Sequence, residues 1–363
     1  MENAAISNEA ININPVRRPR IGLALGSGSA RGLAHLGVIR AIEDAGIEVE
    51  FIAGTSMGAL IGAIHAAGKL DELEATFRTF DWRKTASFFD VVLPKSGLLD
   101  GASISALARA HIHADSIETL PKLFAAVATD IVSGEEIVIR SGDVIEAVRA
   151  SISVPGIFTP VRSNGRILVD GGLTNPVPVS VARAMGADFV IAVDLNHEII
   201  AGKNMKPLLA TEKISSPEDS SGDSPEGGTP GISSRWVGDY RLSMKDIKQK
   251  LLAGDNPASA QFRKWVSTEP LPSIFEVLLA SINIMETRIA QTRLRLDRPD
   301  VIIQPPLGHV RFLEFGRAEE IIAIGYEHTR RQLAALPPHV IQKISSLHET
   351  ADDRNSEHGF RPA

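Results

Sequence analysis

Residues 51–68 read FIAGTSMGALIGAIHAAG, eighteen residues that carry no charged side chain. A run of this length is at the short end of what a membrane-spanning helix needs. Four glycines and three polar side chains make it a poor match to such a helix. A buried strand over Val49–Ala53, a tight turn, and a helix over Met57–Ala67 ended by Gly68 account for it better. The pattern therefore predicts a soluble protein with a strand–turn–helix unit near its N-terminus.

The rest of the chain alternates short apolar runs with helical patterns, which is typical of βαβ units and a parallel sheet. Arg20–Leu25 predicts the first strand, and Leu33–Ala45 predicts an amphipathic helix that Gly46 ends. Asn164-Gly165 predicts a hairpin turn. Further strands are predicted at Phe124–Ala128, Glu136–Ile139, Ile167–Val169, Phe189–Val193 and Val301–Gln304, and further helices at Val177–Met185, Ile274–Leu296 and residues 318–336. A right-handed crossover makes the first two strands parallel, so we expect an α/β fold.

The composition excludes several classes of protein. Hydrophobic residues make up 44% and charged residues 23% of the 363 residues, so whole-chain disorder and a coiled coil are excluded. A net charge of −6 gives no reason to expect a nucleic-acid partner. Because the chain has no cysteine, it can form no disulfide, thiol nucleophile or zinc–thiolate site.

The N-terminal region contains a pattern similar to a targeting signal. Arg17, Arg18 and Arg20 precede an apolar stretch, as in a signal peptide or twin-arginine leader. Small residues interrupt this stretch from Gly26 onward and Arg31 closes it, so a strand–loop–helix accounts for it better. We therefore expect a cytoplasmic protein, with the inner face of the membrane as the place of any peripheral contact.

Composition divides the chain into five parts. They are a flexible arm at 1–19, the main domain at 20–200, a polar insertion at 201–265, a helical and strand part of the same domain at 266–340, and a tail at 341–363. Within the insertion, the 25 residues Thr211–Arg235 include seven serines, four glycines and three prolines. This composition predicts partial disorder of the insertion.

The long predicted helix at Ile274–Leu296 has an apolar pattern of its own. Its apolar residues at helical spacing are Ile274, Phe275, Leu278, Ile282, Met285 and Ile289. Core packing is favoured for this face, because helices that lie on membranes are usually basic. Contact with a lipid surface is the alternative.

A motif for a serine nucleophile lies inside the apolar run that begins at residue 51. The pattern G-x-S-x-G is matched by Gly54-Thr55-Ser56-Met57-Gly58. It follows an apolar strand and opens a helix of small residues, and a nucleophile on a sharp strand-to-helix turn needs such neighbours. The helix N-terminus favours negative charge that develops beside Ser56. The alternative is a tight turn with an incidental serine.

The loop between the first strand and the first helix reads GSGSARG at residues 26–32. The dinucleotide fingerprint G-x-G-x-x-G fails here, because Arg31 stands where the third glycine belongs, and no lysine follows for a P-loop. What remains is a small-residue loop with free backbone N–H groups and a cation at Arg31, which predicts an anion cradle. A loop that is small only for packing is the alternative.

Parallel strands bring this loop and Ser56 to the same carboxyl edge of the sheet. Acyl transfer needs such an arrangement, because one group attacks the carbonyl and the other stabilises the oxyanion. A base must complete the site. His65 lies about 13 Å from Ser56 along its helix and should not reach the hydroxyl. His35 follows the cradle, but Asp170, at a strand end before two glycines, is better placed unless it only forms a turn.

Several segments, in this order, resemble the bacterial patatin-like phospholipases. They are residues 26–38, Gly54–Gly58, Ala128–Asp130, Ala150–Gly156 and Asp170-Gly171-Gly172. The resemblance covers residues 20–200 and, more weakly, 270–335. It implies a three-layer α/β/α fold with a mostly parallel central sheet, and ester hydrolysis by a Ser–Asp dyad without histidine, metal or organic cofactor.

The resemblance also implies roles for individual residues. Ser56 becomes the nucleophile and Asp170 the general base. The remaining implied site residues are Ser27, Gly28, Ser29, Arg31 and Gly32 in the oxyanion hole, Gly54, Thr55, Met57 and Gly58 in the nucleophile turn, and Gly171 and Gly172 in the aspartate loop. The family's cradle usually reads Gly-Gly-Gly-x-Arg/Lys-Gly, so Ser27 and Ser29 depart from its first and third positions.

Three classes of function are compatible with these patterns. The leading hypothesis is a lipid acyl hydrolase of the phospholipase A, lysophospholipase or carboxylesterase type, whose partner is a lipid or other acyl-ester substrate. A scaffold that binds acyl groups or a protein partner without catalysis is the second, motivated by the altered cradle and the acidic insertion. A nucleotide-binding oxidoreductase is a distant third, because its fingerprint spacing is broken.

Overall fold

The computed structural model describes residues 19–78, 101–199 and 274–345. The polar insertion predicted at 201–265 lies outside the described residues, as do most of the predicted arm and tail. The chain divides into one compact unit of residues 1–204 and 278–363 and a second of residues 205–277. Of the second unit, only the first turn of one helix, residues 274–277, belongs to the described part of the chain.

The described residues form one mixed sheet with helices around it. The strands are β1 Ile21–Leu25, β2 Phe51–Thr55, β3 Leu123–Asp130, β4 Glu136–Ile139, β5 Val161–Ser163, β6 Arg166–Asp170, β7 Phe189–Val193 and β8 Val301–Ile303. The helices are α1 Ala34–Asp44, α2 Met57–Ala66, α3 Leu70–Arg78, α4 Ala102–His111, α5 Val144–Ser151, α6 Val179–Met185, α7 Ile274–Asp297, α8 Ala318–Ala334 and α9 Pro338–Ser345. None of these helices is both long and apolar enough to cross a membrane.

The strand order of the sheet is β5-β6-β3-β2-β1-β7-β8, with β4 also paired to β3. Strands β3, β2, β1, β7 and β8 run parallel to one another. The pairs β3–β4, β3–β6 and β5–β6 are antiparallel. The sheet is therefore mixed and mostly parallel, as predicted.

Side chains of the central strands alternate between two apolar cores, because successive residues of a strand point to opposite faces. Leu23 of β1 and Ile52 of β2 belong to one core, which α1, α2 and α8 cover. Ala24 and Ala53 belong to the other, which α6 and α7 cover. This three-layer α/β/α arrangement confirms the predicted fold class.

Every element predicted from the sequence is present, with bounds within two residues of those expected. Asn164 and Gly165 join β5 to β6 with φ of 48° and 76°, which confirms the hairpin. Strand β5, which is short and not fully buried, and the helices α3, α4, α5 and α9 were not predicted from the sequence. Helix α9, at Pro338–Ser345, spans the position at residue 341 where the tail was predicted to begin.

The prediction that the apolar face of α7 packs in the core is wrong in part. Ile282 is buried, but Leu278 and Met285 are 40% and 48% exposed. The side chains of Ile274 and Phe275 lie outside what the structure describes. The buried residues of this helix are Leu279, Ile282, Glu286, Thr287, Ala290 and Leu294. This face includes a carboxylic acid, so its helical spacing does not stand out as an apolar pattern in the sequence.

Strands β2 and β6 occupy the same edge of β3, one after the other. Thr55 at the end of β2 pairs with Val127, and Asp170 at the end of β6 pairs with the next residue, Ala128. The opposite edge of β3 is taken by β4 at both positions. Because β2 runs parallel to β3 and β6 runs antiparallel to it, the carboxyl ends of β2 and β6 meet. The residues that follow these two strand ends are therefore brought together.

Candidate active site

Ser56 lies at the junction of β2 and α2, in a conformation that side chains rarely adopt. Its φ is 56° and its ψ is −122°. A Cβ on Gly54 would collide with the carbonyl oxygen of Gly58, and a Cβ on Gly58 would collide with that of Leu25. The two glycines of G-x-S-x-G are thus required by the close approach of α2 to the strands. Thr55 secures the turn through a hydrogen bond of 2.8 Å from its hydroxyl to the Asn175 carbonyl oxygen.

Ser151, to which the sequence analysis assigned no role, supports this turn from α5. Its hydroxyl accepts a hydrogen bond from the N–H of Ser56 at 2.9 Å and donates one to the carbonyl oxygen of Val127 at 2.6 Å. Val127 is also the residue with which the last residue of β2 pairs. The Ser151 hydroxyl therefore links Ser56 to β3 at the point where the chain leaves the sheet. The only sequence signal was its place in the family-like segment at 150–156.

Asp170 contacts Ser56 directly. The Ser56 hydroxyl donates to Asp170 Oδ2 at 2.6 Å, and the N–H of Gly172 donates to Asp170 Oδ1 at 2.7 Å. The carboxyl group is almost completely buried. Burial raises the pKa of Asp170, and the hydrogen bonds from Ser56 and Gly172 oppose that rise only in part. A Cβ on Gly171 would collide with the Val127 carbonyl oxygen, which confirms that this glycine allows a close backbone approach.

The two histidines considered as bases do not contact Ser56. His35 is buried, and its Nε2 lies 2.8 Å from the carbonyl oxygen of Gly26. His65 is also buried, and its Nδ1 lies 3.7 Å from a Glu43 carboxylate oxygen. Burial lowers the pKa of each histidine to about 4, so both are neutral near pH 7. Among the described residues, Asp170 is therefore the titratable group that contacts the Ser56 hydroxyl.

The loop at 26–32 offers two free backbone donors. The N–H of Ser27 donates to the Pro176 carbonyl oxygen at 2.8 Å, and that of Arg31 donates to the Gly28 carbonyl oxygen at 3.0 Å. The N–H groups of Gly28 and Ser29 have no acceptor in the part of the chain that the structure describes. The predicted cradle is thus reduced to these two N–H groups, and the Ser27 and Arg31 amides are excluded from it. Gly32 lies in a 3₁₀ turn at Ser29–Leu33, where a Cβ would collide with Met57.

Arg31, the cation predicted at the cradle, has its guanidinium engaged by neighbouring residues. Its buried side chain donates to Asn196 Oδ1 at 3.1 Å, to the Val310 carbonyl oxygen at 2.9 Å and to Asn283 Oδ1 at 3.1 Å. Burial lowers the pKa of Arg31 to about 10, which still leaves the guanidinium charged near pH 7. These three hydrogen bonds fasten the loop to its neighbours.

Ser29 has a left-handed backbone, with a φ of 48°. Its hydroxyl donates to the carbonyl oxygen of Phe312 at 2.6 Å, and the N–H of Ala30 donates to the same oxygen at 3.0 Å. The Ser29 side chain thus ties the cradle to the segment before α8.

An apolar cavity of about 700 Å³, part of it open to solvent, adjoins Ser56 and Ser29. Its other described lining residues are Met57, Leu60, Phe77, Ile104, Leu107, Ile152, Val154, Ile157, Phe158, Phe312, Leu313 and Phe315. Such a lining favours a hydrocarbon chain over a polar ligand. The serine hydroxyl therefore lies at the wall of a space suited to an acyl chain.

Glu286 of α7 is a site residue that sequence reasoning missed. It is buried, and its Oε2 accepts a hydrogen bond of 2.8 Å from the Ser27 hydroxyl. No motif marks it, and its only signal is an acid within the buried spacing of α7. Within the described ranges, no group of three or more histidine, aspartate and glutamate side chains is arranged to hold a metal ion.

Comparison with known proteins gives matches over most of the chain. A family model described as patatin-like phospholipase matches residues 23–183. An NTE family protein of Mycobacterium tuberculosis is 32% identical over an alignment of 352 positions that covers 87% of this chain and 92% of that protein. A second NTE family protein of the same species is 30% identical over 320 residues, covering 87% of this chain and 47% of that protein. Patatin-like phospholipase domain-containing protein 6 of Mus musculus is 33% identical over 185 residues, covering 49% of this chain and 14% of that protein.

Proposed function

The chain belongs to the patatin-like phospholipase family, and we propose that it is a serine hydrolase that cleaves acyl esters of lipids. Ser56 is the nucleophile and Asp170 the general base. The observation that carries the proposal is the 2.6 Å hydrogen bond from the Ser56 hydroxyl to Asp170, beside an apolar cavity. Nucleophile and base within hydrogen-bond reach are the minimum that covalent ester hydrolysis requires.

In the acylation half of the reaction, Ser56 Oγ attacks the ester carbonyl carbon while Asp170 accepts the hydroxyl proton. The carbonyl oxygen becomes negative and receives hydrogen bonds from the N–H groups of Gly28 and Ser29. When the tetrahedral intermediate collapses, Asp170 returns the proton to the leaving alcohol, and the acyl group remains on Ser56. Water then attacks the acyl-enzyme, with Asp170 again as the base, and the fatty acid leaves.

The positive φ of Ser56 and the position of α2 support this role. The helix begins at Met57, directly after the serine, so its N-terminal dipole favours the negative charge that develops at the carbonyl oxygen. The backbone of Ser56 is strained, and the close approaches at Gly54 and Gly58 and the hydrogen bond to Ser151 keep it in this conformation. Such strain is typical of a nucleophile on a sharp turn. These features point to catalysis and argue against an incidental serine.

The apolar cavity supports a fatty acyl chain as the part of the substrate that this site recognises. Its lining favours esters with a hydrocarbon tail, as in phospholipids, lysophospholipids and long-chain carboxylic esters. We place the reaction in the cytoplasm, with peripheral contact at the inner face of the membrane, where such substrates lie. Leu278 and Leu313 are exposed apolar residues on the described surface, and Leu313 also lines the cavity.

We also propose that residues 20–200 and 266–340 form one catalytic domain into which residues 201–265 are inserted. The support is that β8, at Val301–Ile303, pairs with β7 in the same sheet, and that α7 places Glu286 beside the cradle. Both parts are thus needed to build the candidate site.

A covalent serine probe and an ester panel test the proposal. We expect a fluorophosphonate to label the wild type and not Ser56→Ala, and p-nitrophenyl esters of increasing chain length to be hydrolysed by the wild type alone. Intact folding of Ser56→Ala is checked by circular dichroism. A folded wild-type protein that neither reacts with the probe nor hydrolyses any ester would contradict the proposal and favour the acyl-binding scaffold.

A further inference from the structure

Glu286 is a buried carboxyl group for which the proposed mechanism has no use. It is 4% exposed and lies on the face of α7 that packs against the sheet. Its Oε2 accepts the Ser27 hydroxyl at 2.8 Å, and the Ser27 hydroxyl in turn lies 3.2 Å from Asn196 Nδ2. Glu286 therefore contacts the loop that carries the Gly28 and Ser29 donors.

The same carboxyl group also lies against the loop that carries the base. A Cβ built on Gly172 would collide with Glu286 Oε1 and would lie 3.0 Å from Asp170 Oδ1. Two carboxyl groups thus approach the same glycine, one from β6 and the other from α7. Glu286 thus bridges two loops. One is the loop at 26–32, here called the oxyanion loop, and the other is the aspartate loop that follows β6.

The charges around Glu286 decide its protonation state. Among the described residues, the charged groups that face it are Asp170 and Arg31, with Asp194 beyond Arg31. Arg31 directs its hydrogen bonds to the neutral oxygens of Asn196, Val310 and Asn283, so it makes no ion pair with Glu286. Burial and the negative charge of Asp170 raise the pKa of Glu286, while the Ser27 hydrogen bond and Arg31 oppose that rise.

The two buried carboxyl groups differ in the donors that stabilise their ionised forms. Among the described residues, Asp170 accepts hydrogen bonds from both Ser56 and Gly172, whereas Glu286 accepts one only from Ser27. Two neighbouring carboxyl groups do not both ionise readily, and the proton stays on the one whose anion is less well stabilised. Near pH 7, the negative charge therefore belongs to Asp170 and the proton to Glu286.

We propose that Glu286 is a positioning residue that, as a neutral acid, holds the oxyanion loop against the aspartate loop and leaves Asp170 as the only anion at the nucleophile. This inference rests on the proposed function, because it concerns the same reaction. Ionisation of Glu286 would add a negative charge beside the loop that must stabilise the oxyanion. The rate of acylation therefore falls at alkaline pH as Glu286 loses its proton.

The pH dependence of ester hydrolysis by Glu286→Gln tests this role. Glutamine has the same length, accepts the Ser27 hydrogen bond and stays neutral at every pH. We expect kcat/KM of the wild type to fall about tenfold per pH unit beyond the alkaline pKa, and that of Glu286→Gln to lack this fall. Near pH 7, glutamine should cost only a few-fold, whereas Glu286→Ala, which leaves the two loops unbridged, should cost on the order of 10²-fold. The exposed Glu319→Gln is the matched control and should keep the wild-type profile.

Thermal unfolding provides a readout that does not depend on activity. A folded-state pKa raised above the unfolded value means that the neutral acid stabilises the fold at low pH and that this contribution is lost as pH rises through the folded-state pKa. The Tm of the wild type should therefore decline more steeply from pH 6 to pH 9 than that of Glu286→Gln. The inference would be overturned if the Tm of the two proteins declined equally with pH, or if their kcat/KM fell in the same way at alkaline pH. A wild type that shows the steeper Tm decline but hydrolyses no ester would instead contradict the proposed function.

Discussion

Ser56 Oγ lies 2.6 Å from Asp170 Oδ2, although 114 residues separate the two in the chain. The contact exists because β2 and β6 end at neighbouring positions on one edge of β3, where Thr55 pairs with Val127 and Asp170 with Ala128. Both residues are held by further hydrogen bonds, since the Gly172 N–H donates to the Asp170 carboxyl group and the backbone N–H of Ser56 donates to the Ser151 hydroxyl. The sheet thus brings the two side chains into direct contact, with no histidine between them.

The first prediction concerns the two members of this pair. Ser56→Ala and Asp170→Asn should each reduce kcat for ester hydrolysis by on the order of 10⁴ or more, because one lacks the nucleophile and the other cannot accept its proton. His65→Gln and His35→Gln should keep most of the wild-type rate, since neither histidine contacts Ser56. A folded but inactive His35→Gln protein would show that the base has been assigned to the wrong residue.

The second prediction concerns the acid side of the pH–rate profile. Burial raises the pKa of Asp170 above the value of about 4 that an ordinary aspartate has. As the pH is lowered, kcat/KM should therefore begin to fall at a pH above about 4. Burial lowers the pKa of His35 to about 4. The acidic limb of the profile, meaning the decline of kcat/KM at low pH, therefore cannot come from this histidine if it lies well above pH 4. The limb should stay in place in His35→Gln. A limb that moves with the histidine substitution would contradict the assignment.

Because its pKa is raised, Asp170 destabilises the fold once it is ionised. A carboxyl group whose folded-state pKa exceeds its unfolded value stabilises the fold below the unfolded pKa, and this contribution is lost as pH rises through the folded-state pKa. Asp170→Asn should therefore have a higher Tm than the wild type at pH 8 and no such advantage at low pH, near pH 3.5. Thermal unfolding at the two pH values measures the difference. A lower Tm for Asp170→Asn at pH 8 would argue that the carboxylate is stabilised in the fold.

The third prediction separates the two roles of Ser29, its backbone conformation and its hydroxyl. Both Ser29→Gly and Ser29→Ala lose the hydrogen bond to the Phe312 carbonyl oxygen, but only glycine adopts a φ of 48° without steric cost. The free energy of unfolding of Ser29→Gly should exceed that of Ser29→Ala by about 1 kcal/mol. Ser29→Pro would be uninformative, because proline cannot adopt a positive φ. Equal stability of the glycine and alanine variants would mean that the loop relaxes away from this conformation.

The fourth prediction concerns the close approach of α2 to β1. A Cβ on Gly58 would collide with the Leu25 carbonyl oxygen, which belongs to the sheet backbone and cannot move aside cheaply. Gly58→Ala should lower the free energy of unfolding by about 3 kcal/mol and abolish probe labelling of Ser56. Gly316→Ala is the matched control, since a Cβ there meets no atom within 4 Å, and it should change stability by less than about 0.5 kcal/mol. Chemical denaturation of both variants checks the contrast.

The fifth prediction concerns the cavity as the acyl-chain site. Ile104 lines the cavity and is not fully buried, so a tryptophan there can fill the space without replacing a core side chain. Ile104→Trp should lower kcat/KM for long-chain p-nitrophenyl esters by about tenfold and leave the acetate ester almost unaffected. Ile104→Val is the conservative control. Equal losses for short and long esters would show that the chain binds elsewhere.

Local features of the fold could be read from the sequence because each is encoded within a few residues. The strand–turn–helix at 51–68, the hairpin at Asn164-Gly165 and the helix end at Gly46 all rest on apolar periodicity or on residues that tolerate a positive φ. The same holds for the glycines of G-x-S-x-G, whose need for close backbone approach is visible in the spacing alone. Ser56 and Asp170 could likewise be singled out as strand-end residues beside glycines.

The sequence by itself thus determined the α/β class, the order of the strands and helices that it predicted, and the residues at the carboxyl strand ends. Only the tertiary structure decided that β6 continues along the edge of β3 where β2 stops, that Arg31 turns away from the cradle, and that Glu286 reaches both loops. These three outcomes depend on contacts between residues far apart in the chain, from 42 positions for Ala128 and Asp170 to 259 positions for Ser27 and Glu286. Such contacts form when whole elements pack together, and a buried acid or a redirected guanidinium is stabilised by partners that no local pattern specifies.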